Sequence, residues 1–372
     1  MEIINNDGKA KIIAYYLPQF YPCEFNDKWY GKGFTEWTNV GKARPLFPGH
    51  YQPRVPADLG YYDLRLPEIA EQQVQLAKEA GVSGFCYWHY WWGEGRMLLN
   101  MPAERMLKTG RPDFPFCFGW DNGSWYKKKW DKDKSKDELI MEMRYPGLQD
   151  EIDHFNYCLP FFKDDRYIRY DGKPVFYIYG PLGLPDAQAF IKHWNSLLKK
   201  SGVAESFYFI GQIEGSDYYP QLISQGFDAV TTDVASRVGG DRSNFWYRNY
   251  IVWRAHFWKL GIRIPIVHSY NRVIKRAWIE KYDSKEDIIP ILIPNWDHTA
   301  RSGGKQMIVT GSTPQKFAIA TRKVLEGVKS KDNKLVFLKS WNEWAEGNYM
   351  EPDLRYGKGY IETLGRLVNE II

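Results

Sequence analysis

Eight short apolar runs, helical spacing between them, and no G-x-G-x-x-G loop after any run together predict an α/β fold. The expected architecture is a single (β/α)8 TIM barrel with extended βα loops, one domain over residues 1–372. Strands are expected at Lys11–Tyr16, Val82–Trp88, Pro115–Trp120, Pro174–Tyr179, Phe207–Gln212, Asp228–Asp233, Ile288–Pro294 and Leu335–Trp341. Each carries Val, Ile, Phe or Tyr on consecutive positions, as a strand covered on both faces does. Helical stripes lie between them. Leu66, Ile69, Ala70, Val74, Ala77 and Ala80 form one, with Pro67 near its start and Gly81 at its end. Ala187, Phe190, Ile191, Trp194, Leu197 and Leu198 form another, entered through Asp186 and closed by Gly202. A third runs through Phe317, Thr321, Val324, Leu325 and Val328. Proline in the first turn and glycine past the last mark the ends. Ile264–Tyr270 is a ninth strand-like run, placed here in a long loop between strands six and seven.

Composition narrows the partners. Fifty Lys and Arg against 45 Asp and Glu leave a formal charge of +5, too small to point to nucleic acid. No apolar run reaches the ~18 residues a membrane span needs, and Met1–Asp7 lacks a signal-peptide core. A cytoplasmic location is therefore expected. Cys23, Cys86, Cys117 and Cys158 are scattered, without a C-x-x-C pair, and read as buried thiols. The basic run at residues 127–129 precedes Asp131-Lys132-Asp133. That D-x-D lacks the apolar strand that would set it beside a diphosphate, so it reads as a solvated, mobile loop. No metal or cofactor is expected. Aromatic content is 17%, with 16 Trp and 26 Tyr. One core cannot easily hide so many amphipathic rings, so some are expected to line a groove and stack on sugar rings.

In a barrel of this kind catalytic groups project from the carboxyl ends of the strands. Those ends hold polar groups among aromatic ones: Tyr15, Tyr16 and Gln19; Trp88, His89 and Trp91; Trp120, Asp121 and Asn122; then Gln212 and Asp233. Strand seven ends in Asn295-Trp296-Asp297-His298, and strand eight in Trp341-Asn342-Glu343-Trp344-Ala345-Glu346-Gly347. The sharpest feature is the Glu343/Glu346 pair between tryptophans. Glycosidic cleavage needs one carboxyl to give a proton and another to act as base or nucleophile. Burial and mutual repulsion would push two such pKa values apart. A solvated E-x-x-E turn is the plainer alternative.

Tyr15–Phe20, Gly33-Phe34-Thr35-Glu36-Trp37-Thr38-Asn39-Val40 and Trp341–Gly347 resemble the WbsX-like group of bacterial polysaccharide gene clusters, related to glycoside hydrolase family 99. The likeness continues through Gly84–Trp91 and Trp296–Arg301, in matching order. The resemblance implies a (β/α)8 barrel acting on a glycan, as an endo-acting enzyme that retains anomeric configuration on α-manno sugars. It places the catalytic glutamates on Glu343 and Glu346. Glu343 would assist the sugar's own 2-hydroxyl, giving a 1,2-anhydro sugar, and Glu346 would protonate the leaving oxygen and later activate water. Glu346 is accordingly expected to have the raised pKa.

The expected substrate contacts are Tyr15, Tyr16, Gln19, Trp88, His89, Trp91, Trp120, Asp121, Asn122, Gln212 and Asp233, with Glu36, Trp37, Trp296, Asp297, Arg301, Trp341, Asn342 and Trp344. His89 is as readily a structural donor as a contact. Glu36, in the loop after strand one, either binds hydroxyls or braces the loop. Asp121, Asn122, Asp233, Asn295 and Asp297 either bind hydroxyls or cap a following helix. Asp297 and Arg301, four apart, can pair on a helical turn. Three functions stay open: hydrolase, transferase using an activated donor, and non-catalytic glycan binder. The absence of a Gly-rich phosphate loop ranks hydrolysis first.

Overall fold

The computed structural model describes residues 9–127, 138–239, 245–260 and 264–371. The D-x-D segment and the amino-terminal residues 1–8 lie outside them. Eight parallel staves form the barrel: β1 (Lys11–Tyr16), β2 (Gly84–His89), β3 (Phe116–Trp120), β4 (Lys173–Ile178), β5 (Tyr208–Ile213), β6 (Ala229–Thr232), β7 (Ile288–Ile289 continued by Ile291–Leu292) and β8 (Leu335–Leu338). Neighbours in sequence are neighbours in the sheet, and β8 returns to β1 with Lys11 opposite Leu335. β7 closes the ring in two pieces. Ile288 pairs with Val230 on one side and Ile291 with Phe337 on the other. Pro290 between them has no amide hydrogen to give, yet its carbonyl accepts from the Phe337 amide at 3.0 Å.

The crossover helices are α1 (Pro67–Glu79), α2 (Met101–Thr109), α3 (Leu148–Phe162), α4 (Ala187–Lys200), α5 (Tyr219–Ser224), α6 (Tyr270–Arg276), α7 (Pro314–Lys329) and α8 (Gly359–Ile371). Their limits follow local chemistry. Asp186 caps α4 by accepting from the Ala189 amide, and Thr313 caps α7 by accepting from the Lys316 amide.

The barrel interior is aromatic. Tyr15 lies between Trp88 and Phe337, with ring centroids at 5.2 and 4.8 Å. Gly119 makes room for this layer, since a Cβ there would sit 2.9 Å from Cys86 Sγ and 3.0 Å from Tyr177. Much of the aromatic content therefore fills the core rather than a groove. Ile266–Ser269 is a strand, as the sequence reads, but outside the barrel; it pairs in parallel with Met307–Thr310, for which no strand was expected. Among the described residues, no helix is long and apolar enough to cross a membrane.

Candidate active site

The long β1–α1 connection folds over the carboxyl end of the barrel. Within it, Thr35 caps the helix Glu36–Gly41 by accepting from the Trp37 amide. Glu36 thus sits in the first turn of a helix rather than in a loop, and its amide donates to the Gln19 carbonyl at 3.1 Å. After β8, Asn342 clasps the end of β1: its amide group donates to the Leu17 carbonyl and its oxygen accepts from the Leu17 amide. The chain then turns through Trp344–Glu346 to Gly347, which adopts φ 56°. Any Cβ at Gly347 would meet Asp297 Cβ at 2.8 Å and the Arg54 guanidinium at 3.1 Å, so the E-G step needs glycine for conformation and space.

These turns aim Glu343 and Glu346 at one cation. Arg301 donates to Glu346 Oε1 at 2.5 Å through Nη1, and to Glu343 Oε1 at 2.8 Å through Nη2. The same Nη2 is 2.9 Å from Glu36 Oε2, and His298 Nε2 is 3.2 Å from Glu346 Oε1. Three carboxylates therefore converge on one guanidinium at the floor of a cleft of about 910 Å³. Burial pushes the Glu343 carboxyl up to about 7, and the Glu346 charge adds to the rise. Burial acts to raise Glu346 too, but Arg301 and then His298 outweigh it and hold that carboxyl well below its usual range. The raised value thus falls on Glu343, not on Glu346 as expected, because Glu346 has the second basic neighbour. Burial also lifts Asp121, across the cleft, to about 6, against a hydrogen bond from the Gly123 amide.

Gln19, Glu36, Trp88, Asp121, Asp233, Trp296, Arg301, Glu343 and Glu346 all line this cleft. Asp233 also caps the helix Val234–Val238, accepting from the Ser236 amide at 2.7 Å. The other expected contacts stand behind the wall. Tyr15 is in the barrel core, and Tyr16 donates to Gln73 Oε1. Trp37 packs on Phe20, its indole N–H on the Tyr62 carbonyl. Trp120 is buried with its indole N–H on the Trp91 carbonyl, and Trp91 donates to Asp150. Asn122 braces Gly180, whose amide it accepts at 2.7 Å. Gln212 accepts from Tyr177 Oη. Trp341 is fully buried, and Trp344 donates to Glu351 at 2.6 Å. Asp297 does not pair with Arg301: it is buried against His50 (2.9 Å), Gln52 (2.7 Å) and Arg54 (3.6 Å). Against the effect of burial, the His50 hydrogen bond and the Arg54 charge hold its carboxyl well below the usual range, so it stays ionised.

His89 forms a separate trio with His154 and Cys158. The two imidazoles share a hydrogen bond of 2.8 Å between their Nε2 atoms, which occupies the lone pair a metal would need. Burial keeps His89 at about 3, so it stays neutral, and holds the Cys158 thiol protonated. A structural role accounts for the trio.

Several cleft residues escaped sequence reasoning. His298, Tyr90, Tyr179 and Lys339 line the cavity. Lys339 Nζ sits 5.2 Å over the Tyr15 ring and 5.6 Å over Trp88. His298 and Lys339 stand at the ends of the two strands already singled out, so the strand-end rule contained their signal. Glu351, missed as well, lies behind the site; it accepts from Trp344, Gln73 and Tyr62, and burial lifts it to about 7.

Residues 12–364 match the family described as Glycosyltransferase WbsX. The chain belongs to that family. As a WbsX family member it is 31% identical over 370 residues to protein WxcX of Xanthomonas campestris pv. campestris, covering 95% of this chain and 49% of that protein. The chain thus spans about half the length of the curated relatives it matches. In fold, this WbsX chain is similar to a solved glycoside hydrolase-like protein at TM-score 0.62 and 16% identity, over 99% of this chain and 96% of that one. It is also similar to the GH99 endo-alpha-mannosidase from Bacteroides thetaiotaomicron, at TM-score 0.55 and 18% identity over 97% of both chains.

Proposed function

We propose that this WbsX family member is a glycan-active enzyme that cleaves internal α-manno-configured linkages, of mannose or rhamnose type, with retention. The observation that carries the reading is the convergence of Glu343 and Glu346 on Arg301 at the floor of an aromatic-walled cleft. A barrel shared with an endo-alpha-mannosidase supports it. Trp88, Tyr179 and Trp296 offer flat faces for sugar C–H surfaces, while Gln19, Asp121 and Asp233 offer hydroxyl partners.

The glutamate pair shares one proton near neutral pH, and ligand contacts decide which carboxyl carries it. A sugar 2-hydroxyl donating to Glu343 favours the carboxylate there; a glycosidic oxygen, which can only accept, favours the acid at Glu346. Bound substrate would thus move the proton from the position it holds in the free cleft. Glu343 then draws the 2-hydroxyl proton as the 2-oxygen displaces the leaving group, and Glu346 protonates that group. Glu346 next deprotonates the water that attacks the anomeric carbon and opens the 1,2-anhydro ring, and Glu343 returns its proton to the freed 2-oxygen. Arg301 offsets the charge that passes between the two.

The family's description favours a second reading, transfer from an activated sugar. Incubation with a panel of bacterial surface glycans, with and without sugar nucleotides, separates the two by mass spectrometry of the products. New short oligosaccharides without nucleotide support cleavage, and extension only with nucleotide supports transfer.

A further inference from the structure

We propose that the helix Phe245–Lys259 is a membrane-surface element that lays aromatic and aliphatic side chains into an anionic lipid headgroup layer. Trp246 is 79% exposed and Trp253 69%, and Phe245, Val252 and Leu260 stand out beside them. At 100° per residue these five side chains fall on one arc of about 120°. Trp92, Trp194, Trp341 and Trp344 are by contrast fully buried. Contacts on the other side of the helix tie it to neighbouring chain. Arg254 donates to the Ile264 and Gly304 carbonyls, and Tyr250 Oη to the Pro265 carbonyl. The apolar arc is thereby left facing outward.

The occupant is chosen by charge. From residue 242 to residue 279 the sequence holds eight Lys and Arg and no Asp or Glu. Arg248 and Lys275 are exposed there. A second copy docked on this face would bring two such segments together and meet like-charge repulsion, whereas anionic headgroups would neutralise them. Tryptophan favours the headgroup depth, and exposed aromatic side chains beside an exposed cation such as Arg248 suit a helix that lies in the plane of the interface rather than across it. Gly304, to which the helix is tied, is two residues from Gln306 on the cleft wall, so the helix stands near the cleft.

The test is co-sedimentation of the full chain with phosphatidylglycerol vesicles and with phosphatidylcholine vesicles, at low and high salt. The expected result is binding at least about tenfold tighter to phosphatidylglycerol, weakened by salt. W246E/W253E should lose that binding by a similar factor while keeping the thermal midpoint, because both side chains already face water. R248E/K275E should lose the phosphatidylglycerol preference. Equal binding to both vesicles, no binding to either, or binding unchanged in W246E/W253E would overturn the proposal. So would a dimer in sedimentation velocity that W246E/W253E dissolves, since that outcome gives the face to a second copy.

Discussion

The guanidinium of Arg301 donates to Oε1 of Glu346 at 2.5 Å, so a residue from the connection after β7 sets the charge of the second β8 glutamate. His298, three residues earlier, reinforces the same carboxylate. The two connections are stitched together by backbone as well, the Asp297 amide donating to the Glu346 carbonyl at 2.7 Å. The charge pattern of the pair is therefore a property of two adjoining loops.

Replacing Arg301 by lysine keeps a positive charge but loses the fork that reaches both glutamates. Arg301→Lys is expected to lower kcat/KM by about a hundredfold on a glycan substrate, the usual scale for removing a preorganised donor. The basic limb of the pH profile should move with it, because a single ammonium cannot hold Glu343 and Glu346 at once as the guanidinium does. An unchanged profile would mean that the fork does not govern their ionisation.

The pH dependence follows from Glu343, raised to about 7. Above that value the pair loses its shared proton, and kcat/KM should fall about tenfold per pH unit. Stability carries the same sign. Between the ordinary carboxylate value and about 7 the folded chain binds more protons than the unfolded one, so unfolding free energy declines as pH rises through that window. Glu343→Gln should remove part of the decline, leaving the share due to Glu351, which is also raised to about 7. Thermal midpoints of the two proteins at pH 5.5 and pH 8, the arms of this comparison, should therefore diverge most at the higher pH.

Two tryptophans at the ends of separate strands should behave differently. Trp296 lines the cleft, and Trp296→Ala should weaken glycan binding by about 1–3 kcal/mol, the scale of an aromatic stacking platform, with folding largely kept. Trp120 is buried with its indole N–H satisfied. Trp120→Ala should instead cost about 3–5 kcal/mol of stability, as cavity-forming aromatic deletions do. Calorimetric titration with a glycan ligand, beside denaturant unfolding, distinguishes the two.

Asp297→Asn should destabilise the chain by about 3–5 kcal/mol, because it leaves the buried Arg54 without its carboxylate. Urea unfolding with an unchanged m-value is the measurement. A neutral effect would show that Tyr349 and the other neighbours of Arg54 suffice.

The barrel was legible because its staves are consecutive apolar runs, and β1 begins and ends where the residues predict. The break at Pro290 was not, since an apolar run does not show which amide its neighbour needs. The strand Met307–Thr310 was hidden because its partner belongs to a loop rather than to the barrel. In the site, the Trp296–Arg301 motif supplied Arg301, and strand-end position found Glu343, Glu346 and Asp121. It could not tell which of two adjacent residues faces the cleft: Asp297 turns to His50 and Arg54 while His298 turns to Glu346. Nor does sequence reveal that Trp120, Trp341 and Trp344 are spent on packing and on Glu351 rather than on the cleft wall.

The central claim is retaining cleavage by Glu343 and Glu346, and the anomer formed first tests it most directly. Proton NMR during early turnover of an α-manno oligosaccharide should show the α-anomer as the initial product. Two displacements at the same carbon restore its configuration. Initial release of the β-anomer would contradict the account and make one glutamate an ordinary base that activates water directly.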